Sequence, residues 1–332
     1  MGGTALRQFG VESKRMNLEE YHKLWEQVKK AFDVRFCMNH ENEIHLLRTM
    51  KDKSDFGDMD VLVDSSMLPN NWADVLKEEF KSAAIYNNGD CVSFDVGGFQ
   101  LDIIKAARHE FDAAKFYFDD QDKGNLCGKL SRRLGLKLGH DGLSYVFRNG
   151  DQVIEEIEVT TDPKTICELL GVSYKDHMNG FDELEDMFEW VAKSPYFDPN
   201  VFAFEEMNSI ARIRDKKRKT YNLFLKWIAD NKDTRNWDFK FNKDKNSYLP
   251  MLFVKFPKFR YNWYMTRYKM LDRIEFKRKF NGEIVREVTG LFGKDLGEFM
   301  IANRDEFNND YVMTQSEDAI REKIQTIWSK WA

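Results

Sequence analysis

Two groups of aspartates within apolar, strand-like runs most constrain what this chain can fold into. Asp58 and Asp60 lie two residues apart and are followed by Val-Leu-Val. Side chains two apart on a strand point to the same face, so the two carboxylates stand side by side. Asp102 lies in a second β-rich run that is joined through Gly97-Gly98 like a hairpin. Three carboxylates on adjacent strands predict a site for two divalent cations. The alternative is a solvated turn or helix cap, which is where most isolated Asp-x-Asp pairs lie.

The order of the motifs around these aspartates points to a particular kind of protein. Between about residues 44 and 175 they are Gly57-Asp58-Met59-Asp60-Val61-Leu62, Leu101-Asp102-Ile103, a helix ending in Tyr117-Phe118, and Thr161 to Val172. In order and spacing this part, well under half of the chain, resembles the X family of DNA polymerases (the DNA polymerase beta type). That family belongs to the wider nucleotidyltransferase superfamily. The resemblance implies an α+β fold in which a polymerase beta-like mixed sheet with flanking helices precedes a mostly helical C-terminal domain.

The resemblance also implies roles for individual residues. Asp58, Asp60 and Asp102 would bind two Mg²⁺ ions, with Mn²⁺ also possible, and Asp102 would accept the proton of a 3′-hydroxyl. The residues that would contact the nucleotide are Gly57, Tyr117, Phe118, Asn125 and Lys129.

The sequence departs from the family in two places. The family's Thr-Gly-Ser after Tyr-Phe is replaced by Asp119-Asp120-Gln121, which puts discrimination between sugars in doubt. The Gly-Ser phosphate loop is absent where it is expected, and the run there supplies Arg48, Lys51, Lys53 and Ser54 for a triphosphate. Gly2-Gly3 resembles a displaced version of that loop, and a frayed N-terminus is the equally weighted alternative.

Charge is distributed unevenly. Residues 211–280 contain 21 Lys and Arg against 7 Asp and Glu, whereas the whole chain has a net charge of −5. A basic segment with interleaved aromatics is typical of nucleic-acid binding, since cations contact phosphates and aromatic faces stack on unpaired bases. The alternative is a solvated helix face above an aromatic core. The predicted nucleic-acid-binding residues are Arg132, Arg133, Arg212, Lys216, Lys217, Arg218, Lys219, Lys255, Lys258 and Arg260.

The C-terminal part has a second, weaker resemblance. Residues 279–285 and 289–300 are similar to the tail of bacterial CCA-adding enzymes and poly(A) polymerases, although a Gly-bounded helix pair would look the same. Small viral enzymes of this superfamily have a catalytic N-terminal part followed by a C-terminal part of this kind, which fits a phage or viral origin. No apolar run approaches a membrane span and no signal peptide is evident, so we expect no membrane partner and a cytoplasmic location, in the host cytoplasm if viral.

These observations predict three regions. Residues 1–110 form a palm-like catalytic domain, 111–180 a thumb-like region contacting nucleotide and primer, and 181–332 a helical basic domain that binds nucleic acid. The expected activity adds nucleotides from NTP or dNTP to the 3′-end of a nucleic acid, with RNA slightly favoured over DNA. The alternatives are nucleotidyl transfer to a protein or small molecule, and a nucleic-acid-binding protein that has lost its chemistry.

Overall fold

The computed structural model describes residues 5–12, 14–149 and 152–331. The chain divides into two compact units, Met1–Leu252 and Phe253–Ala332. The boundaries predicted near residues 110 and 180 both fall inside the first unit. The α+β class, the mixed sheet and the helical C-terminal region are confirmed.

The strands all belong to the first unit. They are β1 (Met16–Asn17), β2 (Ile44–Leu46), β3 (Asp55–Phe56), β4 (Asp58–Asp64), β5 (Ile85–Asn88), β6 (Cys91–Val96), β7 (Phe99–Ala106), β8 (Leu136–Gly139), β9 (Gly142–Asn149) and β10 (Gln152–Thr160). The central sheet has the order β2-β4-β7-β6-β5, in which β4 and β7 are parallel and the other pairs antiparallel. The predicted hairpin through Gly97-Gly98 is present as β6–β7, and β8, β9 and β10 pair antiparallel in a separate sheet.

The helices of the first unit flank these sheets. They are α1 (Leu18–Phe36), α2 (Trp72–Glu79), α3 (Phe111–Phe118), α4 (Lys123–Arg133), α5 (Pro163–Leu170), α6 (Tyr174–Asn179), α7 (Leu184–Ala192), α8 (Ser209–Lys216) and α9 (Lys219–Asn231). Helix α10 (Leu249–Lys255) runs across the boundary at residue 252.

Helix α1 covers one face of the central sheet. Asn17 and Glu20 form a reciprocal capping box that satisfies two backbone N–H groups at its start. Its apolar stripe packs on the odd-numbered residues of β4 and β7, including Met59, Val61 and Leu101, which are fully buried. The alternation of a strand therefore leaves the even-numbered residues on the opposite face.

Helix α3 covers the far end of that opposite face. Leu62 of β4 packs there with Phe111 and Ala114. Because α3 covers only this end, the polar even-numbered residues at the start of β4 are not sealed under a helix. The sheet thus has one apolar face, and its other face carries carboxylates at the start of β4.

The described residues of the second unit, 253–331, form helices joined by short loops and contain no strand. Its helices are α11 (Pro257–Lys279), α12 (Gly282–Thr289), α13 (Gly293–Ala302), α14 (Asn309–Thr314) and α15 (Glu317–Trp331). Its own apolar core includes Val285, Phe299, Val312 and Ile320. No helix in the described part of the chain is long and apolar enough to cross a lipid bilayer.

Substitution of Phe224 should reveal how much the aromatic core around α9 stabilises the first unit. Phe224 is fully buried against the rings of Phe188, Phe202 and Trp227. We expect Phe224→Ala to lower the free energy of unfolding by about 3–5 kcal/mol, because it leaves a cavity that the rings cannot fill. Urea denaturation followed by tryptophan fluorescence measures this, with the exposed neighbour Leu223→Ala as control. Equal losses from the two variants would contradict the packing described.

Candidate metal centre

Asp58, Asp60 and Asp102 converge at the start of the parallel pair β4–β7. The register places Asp60 directly opposite Asp102 and Asp58 opposite Gln100. One ligand oxygen from each of the three aspartates lies within 4.8 Å of the others. Asp102 is buried, whereas Asp58 and Asp60 are half-buried and reach solvent. The three residues predicted as a metal site from the sequence are therefore brought together.

The electrostatics of this cluster favour a cation. Burial raises the pKa of Asp60 well above its usual range, and the neighbouring carboxylates of Asp58 and Asp102 raise it further, whereas Lys53 lowers it. Burial also raises the pKa of Asp102, against hydrogen bonds from Ser93 and Gln100 that lower it. The negative charges thus destabilise one another. Hard divalent cations such as Mg²⁺ and Mn²⁺ take carboxylate oxygens as ligands, so the donor set fits such an ion.

Gln100 orients the buried carboxylate. Its side-chain nitrogen donates to both oxygens of Asp102, at 3.0 and 2.8 Å. Its side-chain oxygen accepts the backbone N–H of Ala5 at 2.9 Å, which ties the 3₁₀ helix Ala5–Phe9 to the site. Gly2 and Gly3, predicted as a possible phosphate loop, lie outside the described residues. The sequence analysis missed Gln100, although its position two residues before Asp102 on one strand face was a usable signal.

Two further side chains near the acids were also missed. Tyr21 of α1 stacks on Phe56 with ring centroids 4.0 Å apart. Burial raises its pKa, and the charges of Asp60 and Asp58 raise it further. Burial, with Asp102 and Asp60, likewise raises the pKa of Cys91 to about 12. Both side chains remain neutral at pH 7 and add no further negative charge to the site, and only the tertiary fold shows their proximity.

The predicted triphosphate loop divides into residues that hold structure and residues that face the acids. The Arg48 guanidinium contacts Asp119 at 3.0 Å and Asp120 at 3.2 Å, and Lys51 pairs with Asp182 at 2.7 Å. Lys53 lies 4.9 Å from the centre of the Phe56 ring and interacts with Asp60. Ser54 is exposed and Gly57 is buried directly before Asp58. Lys53 is therefore the predicted loop cation that acts on the acidic cluster.

A buried ionic network anchors this loop to the turn between α3 and α4. Lys123 and Asp120 are both fully buried and pair at 2.8 Å, and the Lys123 ammonium also donates to Nδ1 of His177 at 2.8 Å. Burial, with the charges of Lys123 and Arg48, lowers the pKa of His177 to about 2. Burial alone would raise the pKa of Asp119, but His45, Lys123 and Arg48 outweigh it and hold that pKa at about 2.

The predicted base-contacting residues mostly meet around one small cavity. Tyr117, Asn125, Lys129 and Arg132 line a space of about 60 Å³ with Arg214. Arg214 donates to the side-chain oxygen of Asn125 at 3.0 Å. Lys129 pairs with Asp215 at 2.7 Å. Phe118 instead lies against His140, with ring centroids 5.6 Å apart.

The predicted nucleic-acid-binding cations differ in their partners. Arg133 pairs with Glu206 at 2.8 Å, Arg218 pairs with Asp122, and Arg212 donates to the carbonyl oxygens of Phe204 and Met207. Lys216 lies 5.6 Å from the centre of the Phe204 ring. The exposed members of the set are Arg132, Lys216, Lys217, Lys219, Lys255, Lys258 and Arg260. In the densest basic cluster, Arg212 and Arg218 therefore use their charge in contacts within the first unit, whereas its lysines are exposed.

No protein-family model matches this chain, and a search of the curated proteins finds no match.

Neutralising Asp60 should stabilise the protein when cations are removed. The folded state raises the pKa of Asp60, so its protonated form favours folding and that stability is lost as pH rises through the folded pKa. At pH 7 in a chelator we therefore expect Asp60→Asn to raise the Tm. Added Mg²⁺ or Mn²⁺ should raise the Tm of the wild type and leave that of the variant unchanged.

The matched control is Asp90→Asn in the turn before β6. Its side chain is exposed and lies outside the acidic cluster. This variant should keep the cation-dependent rise of the wild type in differential scanning fluorimetry. A wild-type Tm that does not respond to either cation would show that the three carboxylates bind neither.

His177 should make stability depend on pH. The pKa of His177 is about 2 in the folded protein and has its ordinary value of 6.5 in the unfolded chain. As the pH falls below 6.5, the unfolded chain therefore binds a proton that the folded protein does not. Stability is then lost by up to about 1.4 kcal/mol per pH unit below pH 6. His177→Asn keeps an acceptor for Lys123 but does not titrate, so its loss between pH 7.5 and 5.5 should be smaller. Urea denaturation measures this, with the exposed His22→Asn expected to behave as the wild type.

Proposed function

We propose that this chain is a nucleotidyltransferase with a polymerase beta-like catalytic fold. It adds nucleotides from an NTP or dNTP to the 3′-end of a nucleic acid, RNA being slightly favoured, and releases pyrophosphate. The observation that supports this most is the convergence of Asp58, Asp60 and Asp102 within 4.8 Å on neighbouring parallel strands. The order of motifs around them and the basic segment 211–280 add support.

Each acid has a place in the proposed reaction. Asp58 and Asp60 would hold two divalent cations jointly, and Asp102 would contribute to the site of the cation nearest the attacking hydroxyl. Mg²⁺ or Mn²⁺, when bound, lowers the pKa of that hydroxyl and neutralises charge on the phosphates and the leaving pyrophosphate. The raised pKa of Asp102 suits a carboxylate that accepts a proton.

The bonds that change are those of phosphoryl transfer. The 3′-oxygen forms a bond to the α-phosphorus while the bond from that phosphorus to the pyrophosphate oxygen breaks. The hydroxyl proton passes to Asp102. Gln100 holds both oxygens of Asp102 and so fixes the direction from which the proton is accepted. Lys53 supplies a positive charge beside Asp60 for the polyphosphate.

A primer-extension experiment tests the proposal. The protein is incubated with Mg²⁺ or Mn²⁺, each NTP and dNTP singly, and labelled single-stranded RNA, tRNA lacking its 3′-end or primed DNA. We expect extension by the wild type, and a loss of about 1,000-fold or more in Asp58→Ala/Asp60→Ala, because cations at such sites contribute several kcal/mol to the transition state.

The control and the other outcomes separate the alternatives. Asp90→Asn removes a carboxylate of the same fold outside the cluster and should extend at the wild-type rate. Nucleotide binding without extension of any nucleic acid would favour transfer to a protein or small molecule. Absence of nucleotide binding would favour a nucleic-acid-binding protein that has lost its chemistry.

A further inference from the structure

Helix α11 exposes a row of tyrosines to solvent. Tyr261, Tyr264 and Tyr268 have exposed fractions of 66%, 51% and 64%, and Leu271 continues the row at 53%. The spacing of three and four residues places all four side chains on one side of the helix. Large exposed side chains grouped on one face of a helix are typical of an interaction site.

The opposite side of the same helix carries its buried aromatic residues. Phe259 and Trp263 are buried there, and both pack against Phe253, with ring centroids 5.8 and 5.3 Å apart. The exposed tyrosines are therefore not the helix's core-facing stripe. At about 3.6 residues per turn they lie roughly half a turn away from it.

Positive side chains border the tyrosine row on both sides. Rotation by about 100° per residue places Lys258 and Lys269 along one border and Arg260 and Arg267 along the other. Arg267 lies over the Trp263 ring at 5.2 Å. Among the described residues, no carboxylate lies within ion-pair distance of Lys258, Lys269 or Arg260. These cations remain available to an external anion.

The charge of the helix favours one class of partner. Pro257–Lys279 contains eight Lys and Arg against two Asp and Glu. A second copy of the same helix would bring like charges together, which is destabilising. A polyanion with aromatic faces complements both the charge and the rings, since bases stack on aromatic side chains while cations contact phosphates.

We propose that this tyrosine face binds single-stranded nucleic acid, with bases stacked on Tyr261, Tyr264 and Tyr268 and phosphates on the bordering cations. The bases of a duplex are stacked on one another and are not open to such rings, so single strands bind in preference. The three tyrosines span about 10 Å along the helix axis, which is enough for a short run of nucleotides. The inference rests on the proposed function for its class of partner, and it names a single-stranded acceptor.

Binding in the absence of catalysis tests the proposal. Fluorescence anisotropy in a chelator measures the affinity of the full chain for labelled single-stranded RNA and DNA of about 16 nucleotides and for the matching duplex. We expect tighter binding of the single strands, and at least about a 100-fold loss in Tyr261→Leu/Tyr264→Leu/Tyr268→Leu. Leucine keeps the apolar area but removes the ring face.

Three further variants keep this test interpretable. Replacement of the same three tyrosines by phenylalanine keeps the rings and should retain the affinity within about threefold. Because Tyr264 also packs on Phe253 at 5.5 Å, Tyr261→Leu/Tyr268→Leu gives a variant without that contact change, expected to lose at least about tenfold. Lys258→Gln/Lys269→Gln should make the affinity less dependent on salt, since fewer phosphates are neutralised.

The outcomes distinguish this inference from the proposed function. Unchanged single-strand affinity in the leucine variants would overturn the inference, whatever the extension assay shows. Equal binding of duplex and single strand would also overturn it. Self-association of the wild type in sedimentation that the leucine variants lose, without nucleic-acid binding, would overturn the inference and assign the face to a second copy. Strand binding through the tyrosines without extension would sustain the inference and refute the activity.

Discussion

The parallel pairing of β4 with β7 is the constraint on which the rest of the first unit depends. It sets Asp60 opposite Asp102 and at the same time places Met59, Val61 and Leu101 on the apolar face. Because side chains alternate along a strand, a shift of one residue in register would bury the acids and expose the core. The carboxylates repel one another, and the burial of apolar side chains on the other face of the same two strands keeps them close together despite that repulsion.

A second constraint fixes the loop that leads into β4. Arg48 contacts Asp119 and Asp120, and Asp120 in turn pairs with the fully buried Lys123. Removing either partner of a buried pair leaves an uncompensated charge, which is strongly destabilising. Asp120 and Gln121 have φ values of +60° and +62°, in the left-handed region that favours glycine. Asp120 is held there by a backbone hydrogen bond from its N–H to the Arg48 carbonyl as well as by its ion pairs.

The sequence predicts features that depend on short-range periodicity and fails on features that depend on distant partners. The hairpin through Gly97-Gly98 and the shared face of Asp58 and Asp60 follow from local spacing, and the structure contains them. The convergence of Asp102 with those acids was predicted from two strand-like runs expected to lie side by side, and the structure pairs them. The partners of Lys129 and Arg218, which are Asp215 and Asp122, are 86 and 96 residues away in sequence. A count of basic residues does not show which of them are already paired.

The difference between paired and unpaired cations affects where the basic segment 211–280 can bind a polyanion. Arg212 and Arg218 have partners inside the first unit, so binding a phosphate would require them to give up hydrogen bonds already made. Lys258 and Arg260 of α11 are exposed and have no carboxylate partner among the described residues, so a phosphate would displace only water and counterions. The electrostatic gain per contact is therefore larger for Lys258 and Arg260 than for Arg212 and Arg218, although the sequence is most densely basic near residue 216. Aromatic rings exposed beside those free cations make α11 the surface on which charge and stacking act together.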